Sequence, residues 1–180
     1  MTRRSPIELS RDCTATTVPH GVKVAVTAGG LVEVVQRLGG SITVRTEIGA
    51  LLRIDGADAD ALGLEPLDDR SRAAEGPFEI GRVTDVLQGI YDPEIPVSII
   101  ELGLVYRCEE IPCADGTRRI EIDMSMTAPG CGMGDILRAD ALRAVQAVPG
   151  VDDVEVTLVW DPPWTIHRMS EAARLQLGML

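Results

Sequence analysis

The chain has 180 residues, 45% of them hydrophobic, enough apolar material to bury a core, so disorder along its whole length is excluded. Seventeen Lys and Arg face 28 Asp and Glu, a net charge of −11, and a surface of that sign repels a phosphate backbone, so nucleic acid is not an expected partner. No apolar run approaches the roughly 18 residues a membrane span needs. The segment after Arg3 and Arg4, beginning Ser5-Pro6-Ile7-Glu8, is too polar for a secretory leader. Four cysteines, at 13, 108, 113 and 131, are too few and too irregular for a disulfide framework. A cytoplasmic protein with free thiols and no membrane partner is expected.

Taken in chain order, β-branched runs at Val22–Val26, Val32–Gln36, Ser41–Val44 and Ala50–Ile54 are separated by Ala28-Gly29-Gly30, Leu38-Gly39-Gly40 and Gly49. Short strands with glycine turns at about ten-residue spacing predict a small all-β module, barrel-like or sandwich-like. Some seventy residues are marginal for independent stability, so this module is expected to pack on its neighbour or on a second chain. From about Ala57 to Pro77 the apolar period lapses, predicting a short helical turn and then a linker. Charge shifts across this stretch. Residues 1–75 carry nine basic and eleven acidic groups (net −2), and residues 76–180 carry eight and seventeen (net −9). Two units are therefore expected, 1–75 and 76–180.

The second unit mixes periods. Ile80, Val83, Leu87 and Ile90 recur at helical spacing, and Pro93 forces Asp92 out of the helical region, so a helix is expected to end there. Val97–Ile111 reads as extended with a break at Leu102-Gly103, and Ala114-Asp115-Gly116-Thr117 has hairpin chemistry. Ile120, Ile122, Met124 and Met126 alternate with polar residues, the pattern of a strand with one wet face. A loop, Thr127-Ala128-Pro129-Gly130-Cys131-Gly132, leads into a helix with the stripe Ile136, Leu137, Ala141, Ala144, Val145 and Val148, ended by Pro149-Gly150. A strand through Val154, Val156 and Leu158 and a helix near Ser170–Leu177 close the chain. The predicted architecture is α+β, a small mixed sheet packed with helices.

Cys131 is the main candidate for chemistry. It lies where a strand hands over to a helix, bracketed by Gly130, Gly132 and Gly134, and amides at a helix start favour a thiolate, the form that binds metal or attacks electrophiles. A small cysteine buried in a tight turn fits the same residues. Asp92-Pro93-Glu94-Ile95-Pro96 holds two carboxylates in a proline-stiffened segment, and paired carboxylates serve acid–base work or hard metals when they converge. Solvated acids at a helix-ending turn are the alternative, and Glu101 is open to the same two readings. Cys108, Cys113, Cys131 and His167 make a poor zinc set, because four residues and a proline separate the first pair and positions five apart on a strand face opposite ways. His20 and His167 lie in no informative context for a catalytic base, and Cys13 and His20 are read as structural or incidental. Trp160 and Trp164 flank a double proline and anchor the last turn.

Asp92-Pro93-Glu94-Ile95-Pro96-Val97, continuing through Glu101-Leu102-Gly103-Leu104-Val105-Tyr106 and followed by Met126-Thr127-Ala128-Pro129-Gly130-Cys131, resembles the iron-sulfur maturation domain shared by PaaD-like and SufT proteins. Arg11-Asp12-Cys13, Pro19-His20-Gly21, Leu38-Gly39-Gly40-Ser41 and Trp160-Asp161-Pro162-Pro163-Trp164 extend the resemblance toward the SufT branch. It implies a non-enzymatic factor that handles a transient iron-sulfur cluster, with Cys131 as the thiol ligand and Asp92, Glu94, Glu101 and Thr127 supporting it. The implied partners are the cluster assembly machinery and iron-sulfur client proteins. Many relatives carry proline after the cysteine, where this chain has Gly132. One cysteine cannot satisfy a cluster that generally takes four protein ligands, so handover is expected rather than storage, and a homodimer is one source of further ligands. A scaffold that recruits assembly proteins without touching iron, and a thiol enzyme pairing Cys131 with Glu94 or Asp92, are the competing readings.

Overall fold

The structure, a computed structural model, describes residues 5–67 and 77–179. The expected boundary at 75/76, and most of the expected linker, lie outside the described residues. Residues up to 67 form six strands: β1 (Ile7–Glu8), β2 (Cys13–Val18), β3 (Lys23–Val26), β4 (Leu31–Leu38), β5 (Ser41–Thr46) and β6 (Leu51–Asp55). They pair antiparallel in the order β1-β4-β5-β6-β2-β3. The sheet stays open, with β1 and β3 at its two edges, so the module is all-β but no closed barrel. A 3-10 helix (Gly56–Leu62) follows, started by Asp55, whose carboxylate accepts from the Ala57 amide.

Alternation along these strands explains why the sheet is a middle layer. Val32, Ile42, Val44, Leu52 and Ile54 face one side, where Leu9 and the 3-10 helix residues Ala59, Ala61 and Leu62 close a first core. On the other face, Thr16, Ser41 and Thr43 are buried although polar, Val18 joins a second core and Leu51 packs against it. That face rests on the remainder of the chain, as expected of a module too small to bury its own two sides.

The second part comprises α1 (Ile80–Gln88), β7 (Val105–Pro112), β8 (Arg118–Met124), α2 (Gly134–Gln146), β9 (Asp153–Leu158), a 3-10 turn (Ile166–Arg168) and α3 (Glu171–Gln176). β7 and β8 are antiparallel and β8 and β9 parallel, giving the expected mixed sheet. Val83, Val86 and Leu87 of α1 and Leu137, Ala141 and Val145 of α2 join Ile120, Ile122, Met124, Val154 and Val156 of the sheet in the second core. The opposite sheet face is polar, with Arg107 bridging Glu109, Glu121 and Asp123.

Two readings change in detail. β2 was not expected as a strand, since Cys-Thr-Ala-Thr-Thr-Val has few large apolar side chains, yet it buries both faces between β6 and β3. The extended run from Val97 begins as a strand only at Val105. Before it the chain coils through Leu102 N–H to Ser98 O (2.9 Å) and Leu104 N–H to Ile99 O (2.9 Å), which buries Ile99, Leu102 and Leu104 together. Gly103, at φ +67°, makes this turn possible, and a Cβ there would lie 2.1 Å from the Arg168 carbonyl oxygen.

Candidate functional site

β8 and β9 run parallel, so their C-terminal ends share one edge of the molecule, where the chain passes from β8 into α2. Cys131 occupies that crossover. It is half-buried and packs against the second core, neither entombed nor fully exposed. Its amide donates to Ala128 O (3.4 Å) and its carbonyl accepts from Gly134 N (3.2 Å), closing a tight turn ahead of α2. Met133 caps α2 without a side-chain hydrogen bond, so the partial positive charge of this 13-residue helix opens toward the turn. Asp135, in its first turn, is paired at 3.6 Å with Arg138.

An unexpected wall stands beside this turn. The Pro19-His20-Gly21 segment between β2 and β3 presses its backbone onto Gly132: a Cβ on Gly132 would lie 2.0 Å from His20 O, and one on Gly21 would lie 2.1 Å from Gly132 O. Both glycines are required by contact, and Gly21 also by its φ of +71°. Sequence reasoning set His20 aside as incidental. The available signal was the pair Gly21 and Gly132, which only a fold could join across more than a hundred residues.

The Asp92 loop has its own anchors in the N-terminal sheet. Asp92 is 5% exposed, and its Oδ1 accepts from Glu94 N (2.8 Å) and Ile95 N (2.9 Å), so the carboxylate shapes its own loop. Burial pushes its pKa up, against the pull of those two amide bonds. Gln36 Nε2 donates to Asp92 O (2.9 Å) and Thr43 Oγ1 to Pro93 O (3.1 Å), anchoring the loop over β4 and β5. Gly132 meets the turn at the end of β2, another strand of the same sheet.

Glu94 is exposed, and its side chain makes no hydrogen bond among the described residues. The Glu101 carboxylate accepts from Gln88 Nε2 (3.3 Å) and from the Ser170 hydroxyl, tying α1 to the start of α3. Thr127 is half-buried at the foot of the Cys131 loop. No hydrogen bond links any of these four to Cys131, and no group of three or more His, Cys, Asp or Glu among the described residues could hold a metal ion. The carboxylates of Asp92 and Glu101 also brace the segments that carry them.

The other thiols lie apart. Cys13 is buried in the first core, and burial followed by the charge of Asp58 raises its pKa. Cys108 packs against the second core from β7, its pKa raised by burial and then by Glu109. Cys113 donates weakly to Ile111 O at 3.8 Å. Two cavities, of about 220 and 240 Å³, are lined respectively by residues including Arg53, Asp140 and Arg143 and by residues including Gln88, Glu101 and Gln176. Cys131 lines neither. Ala128, Pro129 and Gly130 of its own loop are exposed. A half-buried thiol in an exposed loop lies close to the surface another macromolecule would meet.

A family described as iron-sulfur cluster assembly protein matches residues 81–158. An Fe-S protein maturation auxiliary factor of Porphyromonas gingivalis is 39% identical over 98 residues, 54% of this chain and 90% of that protein. The Fe-S protein maturation auxiliary factor SufT of Staphylococcus aureus is 36% identical over 90 residues, 50% of this chain and 98% of that protein. A crystal structure of a domain of unknown function, DUF59, from Bacillus anthracis is 35% identical with a TM-score of 0.48, covering 56% of this chain and 92% of that one.

Proposed function

Because this chain belongs to the SufT-type iron-sulfur cluster assembly proteins, we propose that it is a maturation factor whose Cys131 transiently ligates an iron-sulfur cluster on its way to client proteins. The reading is carried by one observation: a half-buried, hydrogen-bond-closed thiol turn at the mouth of α2, with no trio of donor side chains around it among the described residues. Clusters are generally held by four thiolates. Cys131 supplies one, and the others come from a client, from small thiols or from a second copy of the chain. Incomplete ligation leaves the cargo labile, which suits a carrier better than a store.

The exchange needs no redox step. Cys131 loses its proton to solvent and its sulfur displaces a ligand of the cluster donor from an iron atom, that ligand leaving with a proton; a client thiol, giving up its own proton, then displaces Cys131, which leaves as a thiolate and is reprotonated. No substrate turnover is required, and the protein acts as a carrier rather than an enzyme. Cys131→Ser is expected to reduce the cluster content of client proteins to background in cells lacking the natural copy, while circular dichroism stays that of the parent. Anaerobic reconstitution with iron and sulfide should produce cluster absorption in the parent protein and none in the variant. Clients that mature normally with Cys131→Ser would sink the ligand role and leave a scaffold that recruits partners without binding iron.

A further inference from the structure

The geometry points to the Pro19-His20-Gly21 turn of the N-terminal sheet as a positioning element for Cys131, with Gly132 as the interlock between them. This rests on the carrier reading of Cys131 but concerns a different part of the chain, the unit that lies outside residues 81–158 matched by the family.

Three observations combine. First, the two backbones approach so closely that neither Gly21 nor Gly132 has room for a methyl group, at 2.1 and 2.0 Å from the opposing carbonyl oxygens. Second, the turn is itself held rigidly: Gly21 N donates to Thr17 O (2.8 Å), Thr17 N to Val22 O (2.8 Å) and Val22 N to Thr17 Oγ1 (3.1 Å). Third, β2, which carries the turn, is fastened into the second core by Val18. The turn is therefore a stiff wall rather than a passing loop.

Its place is specific, because Gly132 follows Cys131 directly. Whatever fixes the Gly132 carbonyl and Cα fixes the peptide that carries the thiol, and with it the sulfur's exposure and its relation to the start of α2. Proline at 132 would put ring atoms where His20 O now lies, so the glycine at this position and the N-terminal sheet belong to one arrangement. His20 is exposed at the same edge, so a partner reaching for Cys131 must fit around it.

The test compares alkylation of Cys131 by iodoacetamide, read by peptide mass mapping, in the full chain and in Gly132→Ala. Adding the methyl should push the turn away, and we expect the rate at fixed pH to rise by about threefold or more, since reactivity follows access to the sulfur. A folded Gly132→Ala that reacts no faster than the parent would overturn the proposal. Should that variant fail to fold, Gly21→Ala and Gly49→Ala serve instead. Both glycines have positive φ, +71° and +85°, but only Gly21 faces another backbone, since nothing lies within 4 Å of Gly49. A rise with Gly21→Ala alone supports the positioning role, and equal behaviour of the two removes it. Client maturation separates this proposal from the preceding one. If Cys131→Ser abolishes it while alkylation is indifferent to Gly132, the ligand stands and the wall falls. If alkylation responds but Cys131→Ser matures clients normally, the wall stands and the ligand falls.

Discussion

Asp92 shows how a residue conspicuous in sequence also shapes its own loop. The two prolines around it fit either a rigid acid for chemistry or a helix-ending turn, and its Oδ1 accepts from the amides of Glu94 and Ile95 while the side chain is buried. Burial raises its pKa in the folded protein, so the charged form is disfavoured there. The linked stability is fully present below the ordinary carboxylate value and is lost as pH rises through the folded value. Asn keeps the acceptor oxygen and carries no charge. Asp92→Asn is therefore expected to be at least as stable as the parent at neutral pH by urea denaturation, with the difference shrinking on acidification through the folded value toward pH 4. A large loss of stability at pH 7 would mean that the charge itself holds the loop. If client maturation falls although stability does not, Asp92 has a role at the site beyond shaping its loop.

Among the elements, β4 decides how the two parts of the chain meet. Its pairing with β5 shifts between Val34 and Gln36, a β-bulge that leaves Val35 as the extra, exposed residue. Val32 and Val34 face the first core, and without the bulge Gln36 would follow them. With it, Gln36 shares a face with Thr43 and reaches the Asp92 carbonyl. Gln36, Thr43, Arg53 and Thr16 then lie in register across β4, β5, β6 and β2, and the first three each bind the second part of the chain. Arg53 pairs with Asp140 of α2 at 2.6 Å, each side chain 11% exposed, and Asp140 also pairs with Arg143. Removing one member of a buried pair usually strands a charge at a cost of about 3–5 kcal/mol, but Asp140 keeps Arg143 here, so Arg53→Met is expected to cost less, about 1–3 kcal/mol. Denaturant midpoints at constant slope would measure it; an unchanged midpoint would mean that the pair contributes nothing net to the interface.

For the molecule as a whole, these shared contacts predict one cooperative unfolding transition. Both tryptophans belong to the second part of the chain, so their fluorescence should report the same free energy as hydrogen exchange at the amides of β5 and β6. Two separated values would show that the N-terminal sheet opens alone and that its hold on Cys131 is intermittent. Much of this architecture was legible beforehand. Glycine turns marked four of the six N-terminal strands, helical and alternating periods marked α1, α2, β8 and β9, and Cys131 was recognisable between its glycines. These are local signals, carried by neighbours in the chain and by the 3.6- and 2-residue repeats of helix and strand. What remained hidden was non-local. The bond from Gln36 to the Asp92 carbonyl and the meeting of Gly21 with Gly132 depend on packing between segments dozens of residues apart, and no period in the sequence encodes such a contact. Residue order alone thus determined which pieces form and which thiol stands at a helix mouth. Tertiary structure decided what surrounds that thiol, because a wall made of backbone has no side-chain signature beyond the glycines that make room for it.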